Sequence, residues 1–169
     1  AFCNMAGLTT VTIPEGVTTI GSSAFSSCDA LSNVSLPDSL ITIGNDSFAY
    51  CASLPEFDIP ESVTTIGDYA FWYCTFESVK IHRNVTKMGQ YVFAYNNNLK
   101  SVYVEEGITR IPSYTFRSCP NISKATIAGS VTSIDSTSLF SDNTAIKTAG
   151  PIGSGCDYEF GWTTQIPAC

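Results

Sequence analysis

The side chains that could carry out chemistry are few and scattered in this sequence. The single histidine, His82, stands beside Arg83 without the acid, nucleophile or metal-ligand pattern that an active site requires. Glu56 and Asp58 are two positions apart, so on a strand they share one face. A glycosidase, however, needs its two carboxyl groups on either side of a scissile bond in a cleft. We therefore predict a protein with no enzymatic activity and no cofactor.

The seven cysteines divide into two groups by their place in the sequence. Four occupy the same position of a repeated pattern, one thiol per repeat, whereas a zinc site needs clustered ligands such as C-x-x-C. We interpret these four as small buried groups whose weak S–H donors bond to backbone carbonyls, with no disulfide among them: Cys28, Cys51, Cys74 and Cys119. Of the others, Cys156 and Cys169 lie in an irregular last unit, where a disulfide and two free thiols are both open alternatives.

The pattern that positions these residues is an internal repeat. Residues 17–25 return almost unchanged as residues 63–71, and an aromatic anchor recurs at a nearly constant spacing at Phe2, Phe25, Phe48, Phe71, Phe93, Phe116 and Phe140. A fixed period in this range is the signature of a solenoid, and we predict about seven coils, each of about 22–24 residues. They form a single predicted domain spanning 1–169. The last unit, 141–169, is atypical because it carries an insert at about 150–162.

Each unit has strand signals on two sides and a short corner. Apolar and polar residues alternate in the second half of segments 8–13, 31–36, 54–59, 76–81, 99–104 and 122–127, which predicts half-buried strands. Val-Thr-x-Ile-Gly segments predict a second, shorter strand, and their glycines supply a permissive backbone for the corner. The Ala-Phe-x-x-Cys step has room for a single helical turn. Since no unit can bury its apolar face alone, we expect the phenylalanines to stack into a spine.

Charge excludes two classes of partner. The formal net charge is -7, with an isoelectric point near 4.4, so attraction to nucleic acid or to anionic lipid is disfavoured. No apolar run is long enough to span a membrane, and the first residues lack the features of a signal peptide. Because both ends share one phase of the repeat, we expect a fragment of a longer array, with any signal, anchor or cap outside it.

A strip of outward strand positions is the patterned surface of the predicted solenoid. Its ends carry small hydroxyl side chains, and its middle concentrates charge and an aromatic ring in Glu56, Asp58, Lys80, His82 and Tyr103. A charged centre with an aromatic anchor favours protein recognition, so we predict these five as ligand-binding residues. The alternative is that they are simply solvated side chains of a sheet.

A second group of side chains consists of aromatics beside the predicted spine in the middle units. It comprises Tyr69, Trp72, Tyr73, Tyr91 and Tyr95, where neighbouring repeats hold Ser or Ala. Three interpretations stay open for them: packing that covers a corner, a protein contact patch, or a platform for a sugar.

The repeated pattern C/N-x-x-L-x-x-V-x-I-P-x-x-V-T-x-I-G-x-x-A-F resembles the BspA-type leucine-rich repeat over essentially the whole chain. The resemblance implies a leucine-rich repeat solenoid, α/β to mainly β, that curves as a right-handed superhelix with a parallel sheet on its concave side. It also implies a secreted or cell-surface location and adhesion to host matrix proteins, host cells or other microbes. His82-Arg83 and Glu105-Glu106 depart from the pattern where Ile-Pro would continue.

The function predicted from these residues and this resemblance is a non-catalytic extracellular binding module of a surface adhesin. Its partner would be a host or matrix protein held on the concave strand face. Two alternatives remain: a carbohydrate-binding module that uses the mid-chain aromatics, and a structural spacer in a surface protein.

Overall fold

The computed structural model describes residues 1–135, which form a solenoid of about five turns built from parallel strands. The predicted solenoid is thereby confirmed for this part of the chain. Phe140, the insert at about 150–162, and the cysteines Cys156 and Cys169 lie outside the described residues.

Two sets of strands alternate along residues 1–135. The longer set comprises β1 (Thr10–Thr12), β3 (Asn33–Ser35), β6 (Ser78–Ile81), β8 (Ser101–Val104) and β10 (Lys124–Ile127). The shorter set comprises β2 (Thr19–Ile20), β4 (Thr42–Ile43), β5 (Thr65–Ile66), β7 (Lys87–Met88), β9 (Arg110–Ile111) and β11 (Ser133–Ile134). All pairs within each set are parallel, so a residue lies beside its counterpart one repeat away, as Lys80 does beside Tyr103.

The longer strands do not form one continuous sheet. β1 pairs with β3, and β6, β8 and β10 form a separate sheet, because segment 54–59 between them is not a strand. The predicted strand at this place is wrong. Pro55 cannot donate the hydrogen bond that its counterpart Ser32 donates to Thr9. Phe57 replaces the smaller Val34, and its ring packs edge-on against Phe71, with centroids 4.6 Å apart.

The shorter strands are also interrupted once. β2, β4, β5 and β7 form one sheet and β9 and β11 another, leaving a cleft of about 300 Å³ between β7 and β9. Continuing the register would place Lys87 directly opposite Arg110, and like charges in that position destabilise a strand pair. In addition, Pro112 lacks the N–H that Gly44, Gly67 and Gly89 donate to the preceding coil at the same position, so a missing donor and a pair of like charges coincide with the break.

A stack of phenylalanine rings runs through the core. The rings of Phe2, Phe25, Phe48, Phe71, Phe93 and Phe116 lie 5.3–5.7 Å apart between neighbouring centroids, and no pair is tilted by more than 14°. This confirms the predicted spine. The buried apolar residues of all described coils join it in one contiguous core.

The repeated cysteines bond to the coil before them. Each thiol lies 3.1–3.3 Å from the carbonyl oxygen of the spine phenylalanine in the preceding coil, for Cys28, Cys51, Cys74 and Cys119. Asn96 takes the same place in its coil and donates from Nδ2 to the Phe71 carbonyl at 3.0 Å. The prediction of buried thiols that donate to backbone carbonyls, with no disulfide among these four cysteines, is confirmed.

The corner around each spine phenylalanine is not a helical turn, which corrects the sequence prediction: residues 1–135 contain no helix. Instead, alternate N–H groups point along the solenoid, as when Ser23, Phe25 and Ser27 donate to the next coil at 2.8 Å each. Residues two before or two after the phenylalanine adopt left-handed φ values of 52° to 62° to allow this. They are Asn4, Ser23, Ser27, Asp46, Tyr50, Tyr69, Tyr73, Tyr91, Tyr95, Tyr114 and Ser118.

The glycines that precede this corner serve a different purpose from the one predicted. Gly44, Gly67 and Gly89 do not lie in the left-handed region, so a permissive backbone is not what their positions require. They allow close approach between coils, because a Cβ at Gly44 would lie 2.8 Å from the Ile20 carbonyl oxygen.

Replacing a central ring of the spine should destabilise the protein strongly. Phe71 is fully buried, and Phe71→Ala would remove its stacking on both neighbours and leave a cavity. We expect the free energy of unfolding to fall by about 3–5 kcal/mol. The control is Phe2→Ala, at a ring that is 51% exposed and stacked on one described neighbour, which should cost far less. Urea unfolding of both variants measures the difference. Equal unfolding midpoints would contradict the claim that a buried ring stacked on two neighbours stabilises the protein more than the exposed ring of Phe2.

Thiol reactivity should follow the coil position. Burial raises the pKa of Cys51 and of Cys119 to about 12, and it raises the pKa of Cys74 as well, whereas Cys3 is exposed. Since the thiolate is the reactive species, iodoacetamide at neutral pH should label Cys3 and spare the buried thiols. Mass spectrometry of proteolytic peptides locates the label. If Cys74 in the folded protein is labelled as fast as Cys3, burial does not protect the repeated thiols and the prediction is wrong.

Candidate functional site

The three-stranded sheet of β6, β8 and β10 carries a shallow hollow of about 360 Å³ on its exposed side. The side chains around it come from matching positions of successive coils: Ser78, Lys80, Ser101, Tyr103, Lys124 and Thr126, with Val79 and Val102 between them. We call this exposed side of β6, β8 and β10 the strand face. It exists because each strand alternates buried and exposed residues, so that every second side chain points away from the core.

Tyr103 lies at the centre of the strand face. Its side chain is 47% exposed, and the parallel register puts Lys80 on one side and Thr126 on the other. On β10, Lys124 lies beside Ser101, which is two residues before Tyr103 on β8. Lys124 forms no ion pair within residues 1–135. A large exposed aromatic ring between two lysines can pack against an apolar group while the ammonium groups attract an anion.

Lys80 is held in place by acidic neighbours. Its Nζ lies 2.8 Å from a carboxylate oxygen of Glu105 and 3.4 Å from one of Glu61. Glu105 also accepts hydrogen bonds from the backbone N–H and from Nε of Arg83, at 3.0 and 3.3 Å. Chiefly through the hydrogen bond from Lys80, and then through that from the Arg83 backbone, the pKa of Glu105 falls to about 2. These bonds fix the ammonium group beside Tyr103.

The predicted acidic pair lies beside the strand face but outside its hydrogen-bonded sheet. Glu56 and Asp58 are both exposed, but they lie on the irregular segment 54–59, next to β6 rather than hydrogen-bonded into its sheet. The predicted strip is therefore divided into an acidic part on this segment and a more basic part on the strand face.

His82 is not on the exposed strip, and its prediction as an outward ligand-binding residue is corrected. Its side chain is 2% exposed, and it occupies the place that Pro14, Pro37 and Pro60 hold in earlier coils. Nδ1 accepts the N–H of Asn84 at 3.3 Å and lies 3.5 Å from a carboxylate oxygen of Glu61. Burial of this ring follows from the turn after β6, which sequence alternation alone does not reveal.

Three residues that contribute to the strand face were not among those predicted as ligand-binding. The repeat does predict Lys124 as an outward strand position, and the register places it one coil after Ser101. Glu61 and Glu105 lie in turns, one before Lys80 in the chain and the other after it, and no periodic signal indicates their contact.

The mid-chain aromatics form a second surface, at the corner. Two tyrosine columns run along the solenoid, one of Tyr50, Tyr73 and Tyr95 and the other of Tyr69, Tyr91 and Tyr114. Trp72 lies between them and meets tyrosines of both columns edge-on, 4.9 to 5.9 Å from their ring centroids. We call these tyrosines and Trp72 the aromatic corner. A hollow of about 450 Å³ opens beside Trp72.

Within the described part of the chain, no group of three or more His, Cys, Asp or Glu side chains could hold a metal ion. Nor do residues 1–135 include a helix of the length and apolarity that a membrane span requires.

Comparison with known proteins places this geometry among leucine-rich repeats. The family model described as BspA type leucine rich repeat region matches with six copies, over residues 1–89 and 27–147. No curated protein sequence gives a significant match.

Solved structures of bacterial proteins share the fold. A leucine-rich repeat protein from Bacteroides ovatus is 27% identical, with a TM-score of 0.74 over 78% of this chain and 34% of its own. The leucine-rich repeat protein of T. pallidum is 29% identical, with a TM-score of 0.74 over 79% of this chain and 63% of its own. A leucine-rich cell surface protein from Faecalibacterium prausnitzii, at 23% identity and a TM-score of 0.53, is similar in fold over 79% of this chain and 52% of its own. This chain thus spans less than two thirds of the length of each.

Removing the Glu105 carboxylate should change the acid sensitivity of the protein. Because the pKa of Glu105 is lowered from 4.5 to about 2 in the folded state, its contribution to stability is present above pH 4.5 and is lost as the pH falls towards 2. Glu105→Gln should therefore lower the melting temperature at pH 7 and flatten its decline between these values. The neighbouring Glu106→Gln is the control, since Glu106 is exposed and forms no ion pair within residues 1–135. Thermal unfolding from pH 2 to 7 measures both, and identical profiles would refute the role of the carboxylate.

Proposed function

Since the chain belongs to the BspA-type leucine-rich repeat family, a family of protein-interaction modules, we propose that its strand face binds an acidic segment of a partner protein. The observation that carries this proposal is Tyr103, a large ring left 47% exposed at the centre of a regular sheet, with Lys80 and Lys124 near it. Tyrosine is enriched among the residues that dominate binding energy in protein interfaces.

Charge supports an acidic partner. The chain as a whole has a net charge of -7, and Lys80 is paired with Glu105 and Glu61, so Lys124 is the lysine of the strand face that can attract an anionic group of a partner. Complementary charge speeds encounter and fixes orientation more than it adds affinity. Tyr103 would therefore supply most of the contact energy, and Lys124, which is not paired with a carboxylate within residues 1–135, would select the partner.

The acidic segment 54–59 extends the proposed site. Glu56 and Asp58 lie beside the strand face and are exposed, so they can meet a basic group of the same partner. Four of the five residues predicted from the sequence thus stay in the proposal, and His82 leaves it because its side chain is buried.

The proposed setting is extracellular, on a cell surface or secreted, and the proposed partner class is a host or matrix protein. Both proposals rest on the likeness to BspA-type surface proteins. The family's typical role as a non-catalytic scaffold agrees with a binding module rather than an enzyme.

Binding to immobilised extracellular-matrix and host-surface proteins tests the strand face. Tyr103→Ala should weaken binding at least about tenfold, which corresponds to about 1.4 kcal/mol, and Lys124→Glu should slow association at low salt. Tyr73→Ala is the matched control, since that tyrosine is 43% exposed at the corner rather than on the sheet.

Three results would argue against this site. If a folded Tyr103→Ala variant binds as tightly as the unchanged protein, the partner does not bind at the strand face. Binding of soluble polysaccharide alone would favour the carbohydrate-binding module. If no face of the protein binds any of these ligands, the structural spacer becomes the better explanation.

A further inference from the structure

The tyrosines of the aromatic corner are not required by the backbone. All of them adopt left-handed φ values of 55° to 62°, a conformation that is strained for a bulky side chain. In an earlier coil, Ser27 occupies the position of Tyr50 and Tyr73. Its N–H donates to the next coil at 2.8 Å, as the N–H of Tyr50 does. Because serine makes the same corner, the stacked tyrosine rings need another explanation.

Two tyrosines of the aromatic corner are exposed and lie side by side. Tyr50 is 40% exposed and Tyr73 is 43% exposed, and their ring centroids are 5.5 Å apart. The third ring of this column is half-buried, as are the three tyrosines of the other column. Tyr103, the other exposed tyrosine of residues 1–135, lies between Lys80 and Thr126 instead. Tyr50 and Tyr73 are therefore the pair of exposed phenols in contact.

Two neighbouring phenols can be joined by oxidation. A haem peroxidase with hydrogen peroxide removes one electron and one proton from each phenol, which gives two phenoxyl radicals, while the peroxide is reduced to two molecules of water. The radicals couple through the ring carbons ortho to the oxygens and form a carbon–carbon bond. The hydrogen on each of these carbons then moves to the phenolic oxygen. The product is dityrosine, which is two hydrogens lighter than the separate side chains.

The geometry of the pair favours coupling within one molecule. The two rings come from equivalent positions of adjacent coils, and their planes are tilted by 27°. Rotation about χ2, a soft torsion in tyrosine, turns the rings from face to face to edge to edge and brings the ortho carbons together. The exposure of both rings leaves room for this rotation. Since one chain holds both phenols, their effective concentration exceeds that of a second molecule in dilute solution.

The pair joins two coils whose longer strands do not pair. Tyr50 precedes segment 54–59 in its coil, and Tyr73 precedes β6 in the next. Segment 54–59 is not a strand, so the sheet of longer strands ends at β6. A bond between residues 23 positions apart closes a loop and lowers the entropy of the unfolded chain. A cross-link here would therefore strengthen the solenoid where strand pairing is interrupted.

From these features we infer that Tyr50 and Tyr73 form an oxidative modification site, at which a haem peroxidase and hydrogen peroxide create a dityrosine cross-link between adjacent coils. The contact between the two exposed rings selects this pair from the other tyrosines. The site is separate from the strand face, so the cross-link does not depend on the partner proposed for that face.

The test treats the whole chain at low concentration with a haem peroxidase and hydrogen peroxide. We expect a monomer that has lost two hydrogens and shows dityrosine fluorescence. Proteolysis after glutamate cuts the chain between the two tyrosines at Glu56 and Glu61, so their peptides stay together only if they are cross-linked. The cross-linked monomer should melt at least about 5 °C above the untreated protein.

Phenylalanine variants locate the bond, because they keep the ring and remove the phenolic hydrogen. Tyr73→Phe should abolish the link between these peptides and the rise in melting temperature. Tyr69→Phe changes a tyrosine of the same proteolytic peptide that does not stack on Tyr50, and it should leave both unchanged. Tyr103→Phe is the matched control for an exposed tyrosine of the strand face, and it should also leave both unchanged.

Four results would overturn the inference. An unchanged mass, or cross-linked dimers without a cross-linked monomer, would show that the pair does not couple. An undiminished link in Tyr73→Phe would place the bond elsewhere. Addition of oxygen at Trp72, whose ring meets both tyrosines edge-on, without loss of two hydrogens would show that the indole is oxidised instead.

Discussion

Each coil of this protein is stabilised by the coil next to it, through contacts that recur in one register along the repeat. Phenylalanine rings stack at 5.3–5.7 Å, and thiols donate to the carbonyls of the preceding coil. Corner N–H groups donate to the following coil. Since a repeat unit cannot bury its apolar face alone, this register is the constraint on which the rest of the structure depends. It also explains why Gly44 lacks a side chain, as a Cβ there would meet the coil below.

The same register builds the exposed surfaces. Side chains outside the phenylalanine spine come from equivalent positions of successive repeats and therefore lie side by side. Lys80 is next to Tyr103, and Tyr69 is next to Tyr91. A surface of this kind extends along the solenoid, and its chemistry can change from coil to coil without affecting the core. The strand face and the aromatic corner are two such surfaces on different sides of the same units.

Interruptions in the register divide these surfaces. Pro55 and Phe57 end the sheet of longer strands beside β6, and the shorter strands are interrupted where Pro112 lacks an N–H and Lys87 would lie opposite Arg110. Each break comes from one or two substitutions that leave the phenylalanine stack intact. The spine therefore tolerates local loss of strand pairing, because ring stacking and corner hydrogen bonds continue across it.

The sequence by itself determined the period, the solenoid, the spine and the donor role of the buried cysteines, because each depends on residue types recurring at a constant spacing. Only the tertiary structure decided the conformation of the corner, the burial of His82 and the break at segment 54–59. These depend on where a backbone N–H finds its acceptor and on how large a ring the core accepts. The acceptor lies in another coil, so no local pattern specifies it. The sequence shows that Pro55 lacks an N–H, but only the structure shows that the strand predicted by alternation is lost there. The contacts of Lys80 with Glu61 and Glu105 likewise follow from turns that fold toward the sheet, which spacing alone does not determine.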